Sequence, residues 1–187
     1  MRVISGSAKG RPLKAVPGQG TRPTTDKVKE ALFSMIGPYF DGGEALDLFA
    51  GTGGLGIEAL SRGMERAVFV DIDRKSLDTI RQNLGAAKIE ERAELYRNDA
   101  TKALKALAKR GRAFDLVFLD PPYRMKNVEE YILIMEEGGL LRSGATVVVE
   151  HESSHAYPDQ IGACSLLRRA DYGETAVSIY AADANES

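Results

Sequence analysis

Five short apolar runs, each separated from the next by a segment of helical character, constrain this chain more than any other feature. The runs occupy residues 45–49, 67–70, 94–97, 115–119 and 146–150. Between them lie a glycine-led helix at 55–61, a helix with Leu77, Ile80 and Leu84 on one face, and helices at 101–109 and 128–136. Strands that alternate with helices pair in parallel through crossovers, so the pattern predicts an α/β fold whose sheet is covered on both faces. The C-terminal part differs: CSLLRRA and TAVSIYAA flank DYGE, a strand–turn–strand pattern that predicts an antiparallel hairpin and brings the sheet to seven strands. Ahead of the first strand, TTDKVKEALFSMIGP places Val28, Ala31, Leu32, Met35 and Ile36 at helical spacing. Thr24 or Thr25 is available as a cap, and Gly37 and Pro38 stop the helix.

Charge divides the chain unevenly. Residues 1–30 carry seven Lys or Arg against Asp26 and Glu30, a net of +5, whereas the remainder carries 18 basic against 25 acidic residues, a net of −7. A basic arm on an acidic body implies a polyanionic partner held at one end. The division by role is residues 1–40, the arm and its helix, and residues 41–183, the sheet domain. A single cysteine, Cys164, excludes an internal disulfide and suits a reducing cytoplasm. Neither a signal-type apolar segment nor a run of 18 apolar residues occurs, so the expectation is a cytoplasmic protein without a membrane span.

The first strand runs into GTGGLG, residues 51–56, and Asp71 follows Gly51 by 20 residues. This satisfies the dinucleotide-binding pattern, so the surroundings must decide the ligand. Open α/β sheets bind ligands at the carboxyl ends of their strands, and there stand Asp47, Asp71, Asp99 and Asp120. At about 7 Å and an effective dielectric near 20, each like-charge pair costs on the order of 2 kcal/mol. A pyrophosphate therefore fits poorly beside four carboxylates, and S-adenosylmethionine, with its sulfonium and ammonium, fits well. Gly51 and Gly53 let the backbone approach the methionine part. Asp71 accepts the ribose hydroxyls with Ile72 beside the adenine, and Asp99 accepts from the adenine amine with the Ala100 backbone nearby. Asp47 organises the loop or meets the ammonium, and Thr24 completes the candidate cofactor contacts.

The fourth strand ends abruptly on Asp120, Pro121, Pro122 and Tyr123. An exocyclic nucleobase amine is a weak nucleophile because its lone pair is delocalised into the ring. Acceptors on its two N–H bonds turn that lone pair toward a methyl donor. Asp120 supplies one acceptor and the Pro121 carbonyl another, since prolines keep the backbone out of a continuing ladder. Tyr123 offers a face for stacking. These four residues are the candidate catalytic group, and by themselves they specify only an exocyclic amine.

LDLFAGTGGLGIEALSRG, VFVDID, NDA and DPPY, in that order, resemble the class I, Rossmann-like S-adenosylmethionine-dependent methyltransferases acting on exocyclic amines. RVISGSAKGRPL followed by RPTTDKVKEALFSMI narrows the resemblance to the RsmD-type 16S ribosomal RNA (guanine-N2)-methyltransferases, over residues 2–182. The resemblance implies methylation of N2 of one guanine in 16S rRNA, in the small subunit or an assembly intermediate, by a monomer that needs no metal. Lys9, Arg11 and Arg22 are the candidate phosphate contacts. Lys27 and Lys29 stand where the family commonly has arginine, and a lysine lacks the bidentate fork. Two competing readings are a DNA adenine-N6 methyltransferase, for which little chain remains to recognise a target, and a non-catalytic RNA-binding module retaining the fold.

HESSH, residues 151–155, spells a zinc-protease motif, but that chemistry needs both histidines on one helical face. Here the pentapeptide follows a strand and runs toward Pro158, so the histidines are expected in a loop. Cys164 lies in an expected strand and is read as a buried structural thiol.

Overall fold

The computed structural model describes residues 1–18, 24–122, 125 and 127–183. The elements in chain order are α1 (Asp26–Ile36), β1 (Glu44–Asp47), α2 (Gly54–Ser61), β2 (Arg66–Asp71), α3 (Arg74–Ala87), β3 (Ala93–Arg97), α4 (Ala100–Lys109), β4 (Phe114–Leu119), α5 (Val128–Glu137), β5 (Leu141–Glu152), β6 (Gln160–Ile161), β7 (Cys164–Tyr172) and β8 (Thr175–Ala182). The strands form one mixed sheet in the order β3-β2-β1-β4-β5-β8-β7-β6. Strands β1 to β5 pair in parallel, and β8 lies antiparallel between β5 and β7. The expected seven strands are therefore eight among the described residues. The addition, β6, is only two residues long and folds back on Cys164 and Ser165, too short to leave a periodic signature.

Alternation of side chains along each strand builds two cores. Ala45, Phe69, Leu116, Phe118 and Val148 face α1, α2 and α3, where they meet Leu32, Phe33, Ile57, Leu60 and Ile80. Leu46, Val68, Val117, Leu119 and Val149 face the other way, onto Leu104, Leu107, Ile132 and Met135 of α4 and α5. Among the described residues no helix is long and apolar enough to cross a membrane. Chain order reverses at β1: β2 and β3 build outward on one side, then β4 and β5 on the other. A crevice opens at the carboxyl ends of β1 and β4 for that reason.

The basic arm is folded onto this body. Its backbone doubles back through Val3 N to Arg11 O and Leu13 N to Met1 O, both 2.9 Å, and Val3, Ala8 and Leu13 enter the same core as α1 and α2. The anchor is Glu58 of α2, fully buried. Its carboxylate accepts from Ile4 N at 2.8 Å and Ser5 N at 3.1 Å, and pairs with Arg62 Nε at 2.8 Å and Lys29 Nζ at 3.5 Å. Lys29 also donates to Arg2 O at 2.7 Å. Burial pulls its ammonium below the usual lysine range, against the opposing pull of Glu58. Lys29 thus belongs to the interior, which widens the buried face of α1 beyond the apolar stripe, whereas Lys27 is exposed. Lys9 and Arg11 keep their side chains in solvent on this pinned backbone.

Removing the carboxylate with Glu58→Ala leaves two buried cations uncompensated and two arm amides unbonded. Urea denaturation is expected to show a loss of about 3–5 kcal/mol. A loss below about 1 kcal/mol would show that the arm is not held by this charge cluster.

Candidate active site

The crevice collects the carboxylates that end successive strands. Asp47 closes β1 and is buried. Its Oδ2 accepts from Gly56 N, in the first turn of α2, at 3.1 Å, and its Oδ1 has no partner among the described residues. Burial pushes its carboxyl up to about 8. The Gly56 N–H opposes the rise, and the nearby Asp71 and Glu150 charges add to it.

Asp71, the last residue of β2, ties the glycine loop to the neighbouring turn. Its Oδ2 accepts from Gly51 N and its Oδ1 from Asp73 N, both at 2.9 Å. A carboxylate offers about four acceptor positions, so capacity for a diol remains. Ile72 follows with 66% of its surface exposed, an apolar face open to a ring. A Cβ on Gly51 (φ +57°) would point into open space within the crevice, consistent with a ligand passing there. Gly53 behaves differently from the expectation. A Cβ there would press on Ile80 and Ile57 at 3.2–3.3 Å, so its φ of +80° and its packing on the core favour glycine independently of any ligand.

Asp99 is exposed and caps α4, its Oδ1 accepting from Lys102 N at 3.1 Å, while Ala100 begins the helix and is buried. The cap role occupies one oxygen of Asp99. Thr25, and not Thr24, caps α1. Thr24 Oγ1 instead donates to Glu150 Oε2 at 2.8 Å, which carries the end of the arm to the strand edge.

Asp120 follows β4 and is in side-chain hydrogen-bond contact with Glu150. Burial, reinforced by the Glu150 and Asp47 charges, holds the Asp120 carboxyl well above the usual carboxylate range. Pro121 is buried and Pro122 exposed. The Pro122 carbonyl is taken by Met125 N at 2.8 Å, and among the described residues none donates to the Pro121 carbonyl. That leaves Pro121 O available as the second acceptor. Tyr123 and Arg22 lie outside the described residues.

A reading of the residues misses Glu150 as part of this group. Its signal is present nonetheless: ALD, VFVD and VFLD each end an apolar run on an acid, and VVVE does the same. What the sequence hides is register, the pairing of Leu119 with Val149 that sets Asp120 beside Glu150. The HESSH expectation also needs correction, because His151 is not in a loop. It lies in β5, buried, with Nδ1 2.8 Å from Glu152 O and Nε2 2.8 Å from Ser178 Oγ. His155 follows the strand, so the two histidines do not share a helical face. Cys164 is fully buried in β7, and burial pushes its thiol up to about 12, far from a thiolate nucleophile.

The raised Asp47 carboxyl has a pH consequence. The unfolded carboxyl ionises near pH 4 and the folded one near 8. Between those values the native state holds the extra proton, so stability declines as pH rises, by up to about 1.4 kcal/mol per unit. Asp120 adds to the same slope. Urea midpoints of Asp47→Asn at pH 5 and pH 8 are expected to lie closer together than those of the wild type. An unchanged difference would show that Asp47 is ionised in the native state.

Comparison with known proteins agrees with this geometry. The family model described as Conserved hypothetical protein 95 matches residues 1–181. The "Putative rRNA methyltransferase YlbH" of Bacillus subtilis is 52% identical over 96% of this chain and 98% of its own. "Ribosomal RNA small subunit methyltransferase D" of Escherichia coli is 35% identical over 98% and 91% respectively. The solved structure titled "Putative methyltransferase yhhF from Escherichia coli" superposes with a TM-score of 0.83 at 36% identity, covering 99% of each chain. With a family model matched over residues 1–181 and relatives 35–52% identical over almost the whole length, the chain belongs to the Conserved hypothetical protein 95 family, the RsmD-type methyltransferases.

Proposed function

We propose that this protein transfers a methyl group from S-adenosylmethionine to the exocyclic N2 amine of a guanine in 16S ribosomal RNA, in the small subunit or an assembly intermediate of it. The observation that carries this reading is the acid-lined crevice at the strand reversal, ending in Asp120 and the Pro121 carbonyl, to which no described residue donates. The name of the Escherichia coli relative supplies the small-subunit RNA. Residues 1–40 would grip RNA and residues 41–183 would hold the cofactor.

The residues present fit a cationic cofactor. Asp47 Oδ1 is a buried acceptor without a partner, in a site where an ammonium would relieve the crowding of negative charge. Asp71 retains acceptor positions for the ribose, and the exposed Ile72 covers the adenine, with Asp99 and Ala100 at its far edge. When bound, S-adenosylmethionine supplies an electrophilic methyl whose bonding pair departs to sulfur. Asp120 and Pro121 O accept the two N–H bonds of the amine and direct its lone pair, so positioning carries most of the rate. The alkylated amine must lose a proton. The neighbouring Asp120 and Glu150 carboxyl groups offer oxygen acceptors for it. A base reached this way is unstacked, which favours a single-stranded target. Lys9 and Arg11, exposed on the anchored arm, and Arg22 meet phosphates.

Incubation with labelled cofactor and 30S particles, naked 16S rRNA or DNA, followed by digestion to nucleosides, tests the reading. Label in N2-methylguanosine is expected. Label in N6-methyladenine would establish the DNA-type reaction, and no label would indicate a binding module. Asp120→Ala is expected to lower transfer by about 10²–10⁴-fold while S-adenosylhomocysteine affinity, by calorimetry, stays within a few-fold. Full activity would remove Asp120 from the mechanism. Neutralising Lys9 and Arg11 is expected to weaken RNA binding uniformly across sequences. The slope of log affinity against log salt is expected to flatten by about 0.7 per lost phosphate contact. An unchanged slope would show that these two side chains do not touch RNA.

A further inference from the structure

We infer that Glu150 reads the Watson–Crick edge of the target base, accepting N1–H, and so selects guanine over adenine. This rests on the guanine-methylation reading above and adds the residue that decides the base. Glu150 occupies the right place because β4 and β5 run parallel with Leu119 paired to Val149. The next residues, Asp120 just past the end of β4 and Glu150 still within β5, then lie side by side, about 4.8 Å apart. Both point to the side of the sheet that carries α1, as the bond from Thr24 Oγ1 to Glu150 Oε2 at 2.8 Å requires.

Glu150 has acceptor positions to spare. Thr24 takes one and the contact with Asp120 takes another, out of about four on a carboxylate. The edge of guanine presents N1–H and two N2–H donors in a row. Asp120 and Pro121 O account for the amine that reacts, and a neighbouring carboxylate accounts for N1–H. Adenine presents a lone pair at N1, which would face Glu150 with no proton between them and leave a desolvated carboxylate unpaired.

The wall beside this pair supplies a second, independent observation. A small cavity of about 10 Å³ lies there, and Pro121, Met125, Glu150, Glu152, His155 and Tyr157 are among the residues that line it. His155 stands edge-on to Tyr157 at 4.3 Å between ring centres, and its Nε2 is buried with no partner among the described residues. Guanine O6, next to N1–H, is the acceptor that such a nitrogen lacks. An edge reading O6, N1–H and N2–H in sequence thus meets His155, Glu150 and Asp120.

The test uses 2-aminopurine, which keeps the N2 amine but carries a lone pair at N1. The methylated nucleotide is first located in 30S particles labelled by the wild-type protein. Particles are then reconstituted on ligated 16S rRNA bearing guanine or 2-aminopurine at that position. Wild-type protein is expected to prefer guanine by at least about 100-fold in kcat/KM. Glu150→Gln, whose amide donates where the carboxylate accepts, is expected to narrow the preference to within about tenfold, with S-adenosylhomocysteine affinity within a few-fold of wild type. A merely structural role would lower both substrates alike and keep the ratio, which overturns the inference while leaving the guanine reaction standing. Should Glu150→Gln lack turnover, the preference is read from binding, with 2-aminopurine fluorescence reporting entry into the pocket. An unchanged relative affinity is again the overturning result. Wild-type protein that methylates no guanine in the particles defeats the reaction itself, and the inference with it.

Discussion

Crowding of negative charge at one edge of the sheet is the constraint around which the site is organised. Asp47, Asp120 and Glu150 stand on three adjacent strands and face the same side, and each raises the cost of ionising another. The fold tolerates this by keeping protons on the group and by leaving Asp47 Oδ1 unpartnered. Such a site is costly when empty and gains from a cation, which is the electrostatic basis of the sulfonium cofactor proposed above.

A second charge cluster works in the opposite sense. Glu58, Arg62 and Lys29 are buried together and satisfied, and their purpose is placement: they bind the arm to α2. A basic segment that could have been a loose tail is thereby given a fixed course, with Lys9 and Arg11 displayed outward. Arginine at position 62 also lies over the Phe33 ring at 4.9 Å, so the charge cluster is packed as well as paired.

Much of the fold was legible because its signals are local. The parallel strands announce themselves as apolar runs, and the glycine loop and Asp-Pro-Pro-Tyr end announce the two halves of the site. The parts that escaped depend on pairing across distance. Lys29 reads as a solvated lysine until Glu58 is seen beneath it, and Glu150 reads as a strand end until β5 is laid against β4. Thr24 and Thr25 are interchangeable as caps in sequence, and only the tertiary partner of Thr24 tells them apart. Gly53 matches its motif for a packing reason that the motif does not state, and β6 is too brief for any periodicity.

Asn83, on α3, joins regions otherwise far apart in sequence. Its side chain accepts from Lys14 N at 2.7 Å and donates to Lys14 O at 3.1 Å and to Thr52 O, in the glycine loop, at 2.9 Å. Arm and loop therefore shift in concert or forfeit those bonds.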